Sequence, residues 1–112
     1  MYHNPRCSKS RQTLELLRER GIEPTLIAYL DAPPTAAQLQ AVLAKLGMTP
    51  AQIMRTGEQP YKDAQDKVEA MNADQQIEWL TANPKVIQRP IVISDEQARI
   101  GRPPEAVLEI LT

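Results

Sequence analysis

Cys7 is the one cysteine in this chain of 112 residues, and it lies in the segment Tyr2-His3-Asn4-Pro5-Arg6-Cys7-Ser8-Lys9-Ser10-Arg11. A strand-like start breaks there at Asn4-Pro5, and a helical pattern begins directly afterwards. A free thiol titrates near ~8.5, and a helix N-terminus or neighbouring cations lower that to roughly 3.5–7.5. Both influences are legible here. The N–H groups of a helix starting near Ser8 point toward the sulfur, Arg6, Lys9 and Arg11 supply positive charge, and the hydroxyls of Ser8 and Ser10 can donate to the same anion. A lone cysteine is often a small buried hydrophobe, but a polar, cationic loop-to-helix junction is a poor place to hide one. The expected chemistry is that of a nucleophilic thiolate. Since the chain has no second cysteine, any disulfide made by Cys7 joins it to another molecule, and turnover then needs a small thiol and an external reductase.

The elements that must position this thiol follow from periodicity and caps. Leu14, Leu16 and Leu17 beside Arg11, Glu15, Arg18 and Glu19 predict an amphipathic helix from Ser8 to Arg20, closed by Gly21. Thr25-Leu26-Ile27-Ala28-Tyr29 is short, apolar and bounded by proline turns, which predicts a buried strand. Thr35-x-x-Gln38 is a capping-box pattern, and Leu39, Val42, Leu43 and Leu46 follow at helical spacing before Gly47. Thr49-Pro50-x-Gln52 starts a short helix that leaves Arg55 at its C-terminus, and Asn72-x-x-Gln75 caps a helix that Pro84 ends. The stretch from Gln59 to Met71 is not assigned. After Arg89-Pro90, Ile91-Val92-Ile93, the polar turn Ser94–Gln97 and Ala98-Arg99-Ile100 read as a hairpin. A last helix then carries Val107, Leu108, Ile110 and Leu111 on its apolar side.

The resulting order is βαβ, a helical insert, then ββα. This predicts an α/β protein with a thioredoxin-like mixed sheet, a single domain over residues 1–112 with an all-helical insertion at about 34–84. Alone, Arg55, Arg89 and Arg102 each read as ordinary solvated charges. In this order of strands, however, the first loop, the segment entering the third strand and the exit of the fourth can approach one another, which gathers Arg89 and Arg102 near Cys7. Guanidinium forks match tetrahedral oxyanions, each charge-assisted contact contributing roughly 1.5–3 kcal/mol.

Composition narrows the partners. Thirteen basic and 14 acidic side chains, mixed along the chain, give a net charge of −1, which argues against a general nucleic-acid binder. No charged-then-apolar leader and no apolar run of ~18 residues is present, so no membrane association is expected. A single cysteine suits a reducing cytoplasm, and a monomer is expected. The 10 prolines fall beside periodic segments and mark element boundaries.

Tyr-His-Asn-Pro-x-Cys-x-x-Ser-Arg at 2–11, Met54-Arg55 before Glu58-x-Pro60-Tyr61, Asn83-Pro84 with Arg89-Pro90-Ile91-Val92, and Arg99-Ile100-Gly101-Arg102-Pro103 resemble, in order, the glutaredoxin-coupled arsenate reductase (ArsC) family. The resemblance spans essentially the whole chain and looks closest to the short YfgD-like subgroup. It implies reduction of arsenate to arsenite with glutathione as co-substrate and glutaredoxin as partner, with no metal and no tightly bound cofactor. It also implies that Cys7 is the nucleophile and that Arg55, Arg89 and Arg102 hold the oxyanion. His3 would help tune the cysteine, with Ser10 and Arg11 in support, and Arg89-Pro90 would be a cis peptide that sets the backbone beside the thiol. Read on its own, a lone histidine early in a strand is equally a packed or capping residue. The basic Arg6 and Lys9 leave room for a different oxyanion or a glutathione carboxylate. Two other readings share these residues: a glutathione-dependent thiol oxidoreductase that does not use arsenate, and a non-redox regulatory adaptor of the Spx type. An internal Cys-x-x-Cys switch is ruled out because the matching position is Ser10.

Overall fold

A computed structural model describes residues 1–94 and 97–110. The backbone forms two compact units: Met1–Ala32 together with the described residues from Arg89 onward, and Pro33–Gln88.

In the first unit, helix α1 spans Ser8–Glu19 and buries Ser10, Thr13, Leu14 and Leu17, a face with helical spacing. It stops where Gly21 takes a φ of 76°, a backbone state open to glycine, with the Gly21 amide on the Arg18 carbonyl. Strands β1 (Ile91–Ile93) and β2 (Ala98–Ile100) pair antiparallel, Val92 opposite Arg99. Tyr2 extends this ladder by bridging antiparallel to Ile91 and parallel to Ile27. The sheet order is therefore Ile27, Tyr2, β1, β2, the mixed parallel and antiparallel arrangement expected from the element order. Met1, Leu14, Leu17, Val92, Val107 and Ile110 close the core between α1 and the sheet. Complete burial of Leu17 contributes about 1.5–3 kcal/mol.

Two expectations need correction in this unit. The apolar run 25–29 is not a buried strand: Leu26 is 42% and Ile27 37% exposed, and only Tyr29 goes fully inside. The run pairs with Tyr2 through Ile27, and an edge position leaves its other side to solvent. The last helix is a 3-10 helix, Pro104–Ile110, not an α-helix, and its buried residues Pro104, Val107 and Ile110 recur every third position, the 3-10 period. Leu111 lies outside the described residues, as do Asp95 and Glu96 of the hairpin turn. Around them, Ser94 Oγ donates to the Gln97 carbonyl.

The second unit holds α2 (Ala36–Leu46), a 3-10 turn (Pro50–Ile53), α3 (Gln59–Glu69), α4 (Ala73–Ala82) and a short 3-10 turn (Pro84–Val86). Thr35 with Gln38, Thr49 with Gln52 and Asn72 with Gln75 each close a full capping box. The segment expected as a short helix before Arg55 is thus a single 3-10 turn. Leu39, Ile53, Val68, Leu80, Val86 and Ile87 are its most buried side chains. Tyr61 meets Trp79 edge to face at 6.5 Å, joining α3 to α4.

Candidate active site

The loop before α1 is closed by its own polar groups. Asn4 accepts the Cys7 amide at its carbonyl (3.0 Å) and the Arg6 amide at Oδ1 (3.0 Å), while its own N–H donates to Ser10 Oγ at 3.2 Å. Arg11 Nη1 donates to the Pro5 carbonyl at 2.9 Å. Ser10 and Asn4 are both buried, so the bond between them is shielded from water. It holds Cys7 at the N-cap of α1 with extended φ/ψ of −93° and 124°.

Burial pushes the Cys7 thiol up, but the opposing influences together exceed it and the pKa lies below the ordinary cysteine value. They come from the Ser10 amide, the Arg89 guanidinium and the Lys9 amide. Neither amide completes a capping hydrogen bond to the sulfur, so their effect is that of oriented dipoles at the helix N-terminus. Ser10 therefore acts on the thiol through its backbone, while its hydroxyl serves Asn4.

Arg102 Nη2 lies 3.6 Å from Cys7 Sγ, and its Nε donates to the Arg89 carbonyl at 2.7 Å. The Arg102 contact is exposed and screened by solvent, whereas Arg89 is more enclosed and acts more strongly on the sulfur. Burial by itself lowers the Arg89 pKa; Cys7 and the Tyr29 hydroxyl favour its cation and the result is upward. The Arg89-Pro90 bond is cis, as is Arg102-Pro103. Pro90 is buried, and its carbonyl accepts the Gly101 amide at 2.9 Å. Gly101 is needed there, because a Cβ would stand 2.5 Å from Thr13 Oγ1 and 2.8 Å from Pro90 Cγ.

Cys7, Arg89 and Arg102 thus come together in the first unit. Arg55 belongs to the second, where its amide donates to the Val86 carbonyl at 2.6 Å and its Nε lies 3.4 Å from Glu58 Oε1. His3 lines a groove along α1 with Pro5, Arg11, Leu14, Glu15, Arg18 and Glu19, and its Nδ1 is buried without a hydrogen-bond partner. Burial, then Arg18 and the N-terminal ammonium, push the imidazole pKa down. Sequence reasoning did not single out Tyr29, Gly101, Thr13 or Asn4. Only Asn4 had a local signal, the Asn-Pro step ahead of the thiol.

A mixed sheet that carries a cysteine at the first helix N-terminus beside a cis-proline segment belongs to the enzymes built on a thioredoxin-like fold. More particularly, the ArsC family model matches residues 2–110, and the chain belongs to that family. It is 48% identical over 112 residues to the uncharacterized protein YfgD of Escherichia coli K12, covering 99% of this chain and 94% of that one. It is 43% identical over 113 residues to an arsenate reductase of Haemophilus influenzae, covering 99% and 97%. The structure of an arsenate reductase from Vibrio cholerae superposes with a TM-score of 0.93 at 44% identity, covering 98% and 94%. Among the described residues no helix is long and apolar enough to cross a membrane.

Proposed function

We propose that the protein reduces arsenate to arsenite, with glutathione as co-substrate and a glutaredoxin as the reductase that regenerates it. The observation that carries this reading is the Arg102 guanidinium 3.6 Å from Cys7 Sγ, with Arg89 on the same sulfur. A thiolate held by two guanidiniums can attack a tetrahedral oxyanion whose charge those guanidiniums neutralise. The Cys7 thiolate forms a sulfur–arsenic bond to arsenate, and one arsenic oxygen leaves as water after taking up protons. A glutathione thiolate then attacks the Cys7 sulfur, a sulfur–sulfur bond forms, and the electron pair of the sulfur–arsenic bond stays on arsenic as it falls from the +5 to the +3 state. Arsenite leaves. A glutaredoxin thiolate attacks the glutathione sulfur of the mixed disulfide and frees Cys7. Arg89 and Arg102, with Arg55 by its match to the family motif, hold the arsenic oxygens. No tightly bound cofactor enters this sequence.

The test is arsenate turnover by the purified protein with glutathione and glutaredoxin supplied. Cys7→Ser abolishes it, and Arg89→Ala lowers it about 10- to 100-fold, the loss of a charge-assisted contact. A wild-type protein that turns over no arsenate with both reductants overturns the assignment. If the same preparation reduces glutathione mixed disulfides, a thiol oxidoreductase replaces it.

A further inference from the structure

Arg55 is paired with a carboxylate of its own chain. Its backbone belongs to a short antiparallel ribbon, where Met54 bridges Ile87, the Arg55 amide donates to the Val86 carbonyl at 2.6 Å and the Gln88 amide donates to the Ile53 carbonyl at 2.8 Å. A tight turn follows, in which the Glu58 amide donates to the Arg55 carbonyl at 3.2 Å. Glu58 is the N-cap residue of α3, yet its carboxylate makes no capping hydrogen bond to that helix. It faces Arg55 instead, with Oε1 3.4 Å from Nε, and the two side chains are only 23% and 29% exposed. Solvent therefore screens this pair less than it screens a surface pair.

The contact is a charge pair and not a directed bond. Charge-assisted N–H···O bonds run about 2.7–2.9 Å, and Arg55 Nε is buried with no hydrogen-bond partner. A second contact of the guanidinium, Nη1 to Gln88 Oε1, is also long at 3.5 Å. A carboxylate held in this way orients the guanidinium weakly and neutralises it strongly. Neither contact uses Nη2, so an oxyanion seated on the guanidinium meets the Glu58 charge across the same group.

We propose that Glu58 is a resident counter-anion of Arg55 that an incoming tetrahedral oxyanion works against, and that it sets the oxyanion affinity of the site. The proposal rests on Arg55 holding the oxyanion, as in the proposed function. Without the Glu58 charge, Arg55 holds any tetrahedral oxyanion more tightly, inorganic phosphate included.

The experiment measures how far inorganic arsenate, with no glutathione present, protects Cys7 of the folded protein from iodoacetamide at neutral pH. Glu58→Gln keeps the side-chain length and an Oε1 acceptor and removes the charge. It lowers the half-protecting arsenate concentration about 3- to 10-fold, and raised salt narrows that gain. Glu58→Ser, a favourable N-cap for α3, removes the same charge and moves the midpoint the same way. In an Arg55→Ala background the oxyanion no longer seats beside Glu58, and the gain falls below about twofold. Asp66→Asn, the same loss of charge about two turns further along α3, leaves the midpoint in place. An unchanged or raised midpoint in both Glu58 variants overturns the proposal, and so does an equal gain in Asp66→Asn. A wild-type protein that arsenate does not protect removes the role of Arg55 and the proposal with it. Protection that shows the Glu58 shift without arsenate turnover removes the reductase assignment and leaves Glu58 in its role.

Discussion

Gly101→Ala tests whether helix α1 and the proline segment are packed as tightly as the geometry requires. The added methyl would meet Thr13 Oγ1 at 2.5 Å, Pro90 Cγ at 2.8 Å and Thr13 Cγ2 at 3.2 Å. None of these neighbours is the end of a long flexible chain: Thr13 is fully buried on α1 and Pro90 is a buried ring. Overpacking of this kind costs roughly 1–3 kcal/mol. Replacing glycine restricts the unfolded chain and offsets about 0.4–1 kcal/mol of that. The net loss is about 1–2 kcal/mol, which at a urea m-value of about 1.5 kcal/mol/M lowers the unfolding midpoint by roughly 1 M. Thr13→Ala removes two of the three close contacts. It also deletes a buried hydroxyl that has no hydrogen-bond partner, so on its own it costs little. The double variant therefore recovers part of the loss, with Pro90 still in the way, and the two sites couple by about 0.5–3 kcal/mol. Urea titrations of the four proteins at equal m-value measure this. A Gly101→Ala midpoint equal to wild type, or a loss that Thr13→Ala leaves untouched, refutes the packing argument. Arg102 follows Gly101 directly, so the variant should also slow Cys7 alkylation.

Four further outcomes follow from the same structure. Arg102→Ala raises the Cys7 pKa, so the alkylation midpoint moves toward that of free cysteine; in the wild type it lies below that value because the net shift is downward. That depressed folded-state pKa stabilises the fold fully above the unfolded thiol pKa, and the contribution is lost as pH falls through the folded value, a loss Cys7→Ser removes from the urea midpoint profile. Burial pushes the His3 pKa down, so stability falls as pH drops through the ordinary imidazole range; His3→Gln flattens that part of the urea midpoint curve. Thr35→Ala opens the α2 capping box and costs about 0.5–2 kcal/mol in thermal or urea unfolding, while Thr35→Ser restores most of it.

The elements legible in the sequence are those with local causes. The boxes at Thr35, Thr49 and Asn72 are set by a residue and its partner three positions on, and they form as read. Helix α3 escaped because only Tyr61 and Val68 are buried, seven residues apart, and the charges between them dilute any periodic signal. The run 25–29 is apolar without being buried, because an edge segment leaves Leu26 and Ile27 in solvent. At the site, the N-terminal position of Cys7 is local and readable, and the approach of Arg89 and Arg102 follows from strand order. The Thr13, Pro90 and Gly101 contact joins residues far apart in the chain, and no spacing rule announces it.

The two bonds of Arg102 have different fates when the sulfur reacts. Its Nη2 contact depends on negative charge at Cys7, but its Nε bond to the Arg89 carbonyl at 2.7 Å does not. A sulfur that becomes neutral by joining another atom releases one end of the fork and leaves the other moored. The guanidinium then pivots about a fixed point rather than drifting into solvent, and a cation freed from the sulfur stays within reach of whatever anion has taken the charge.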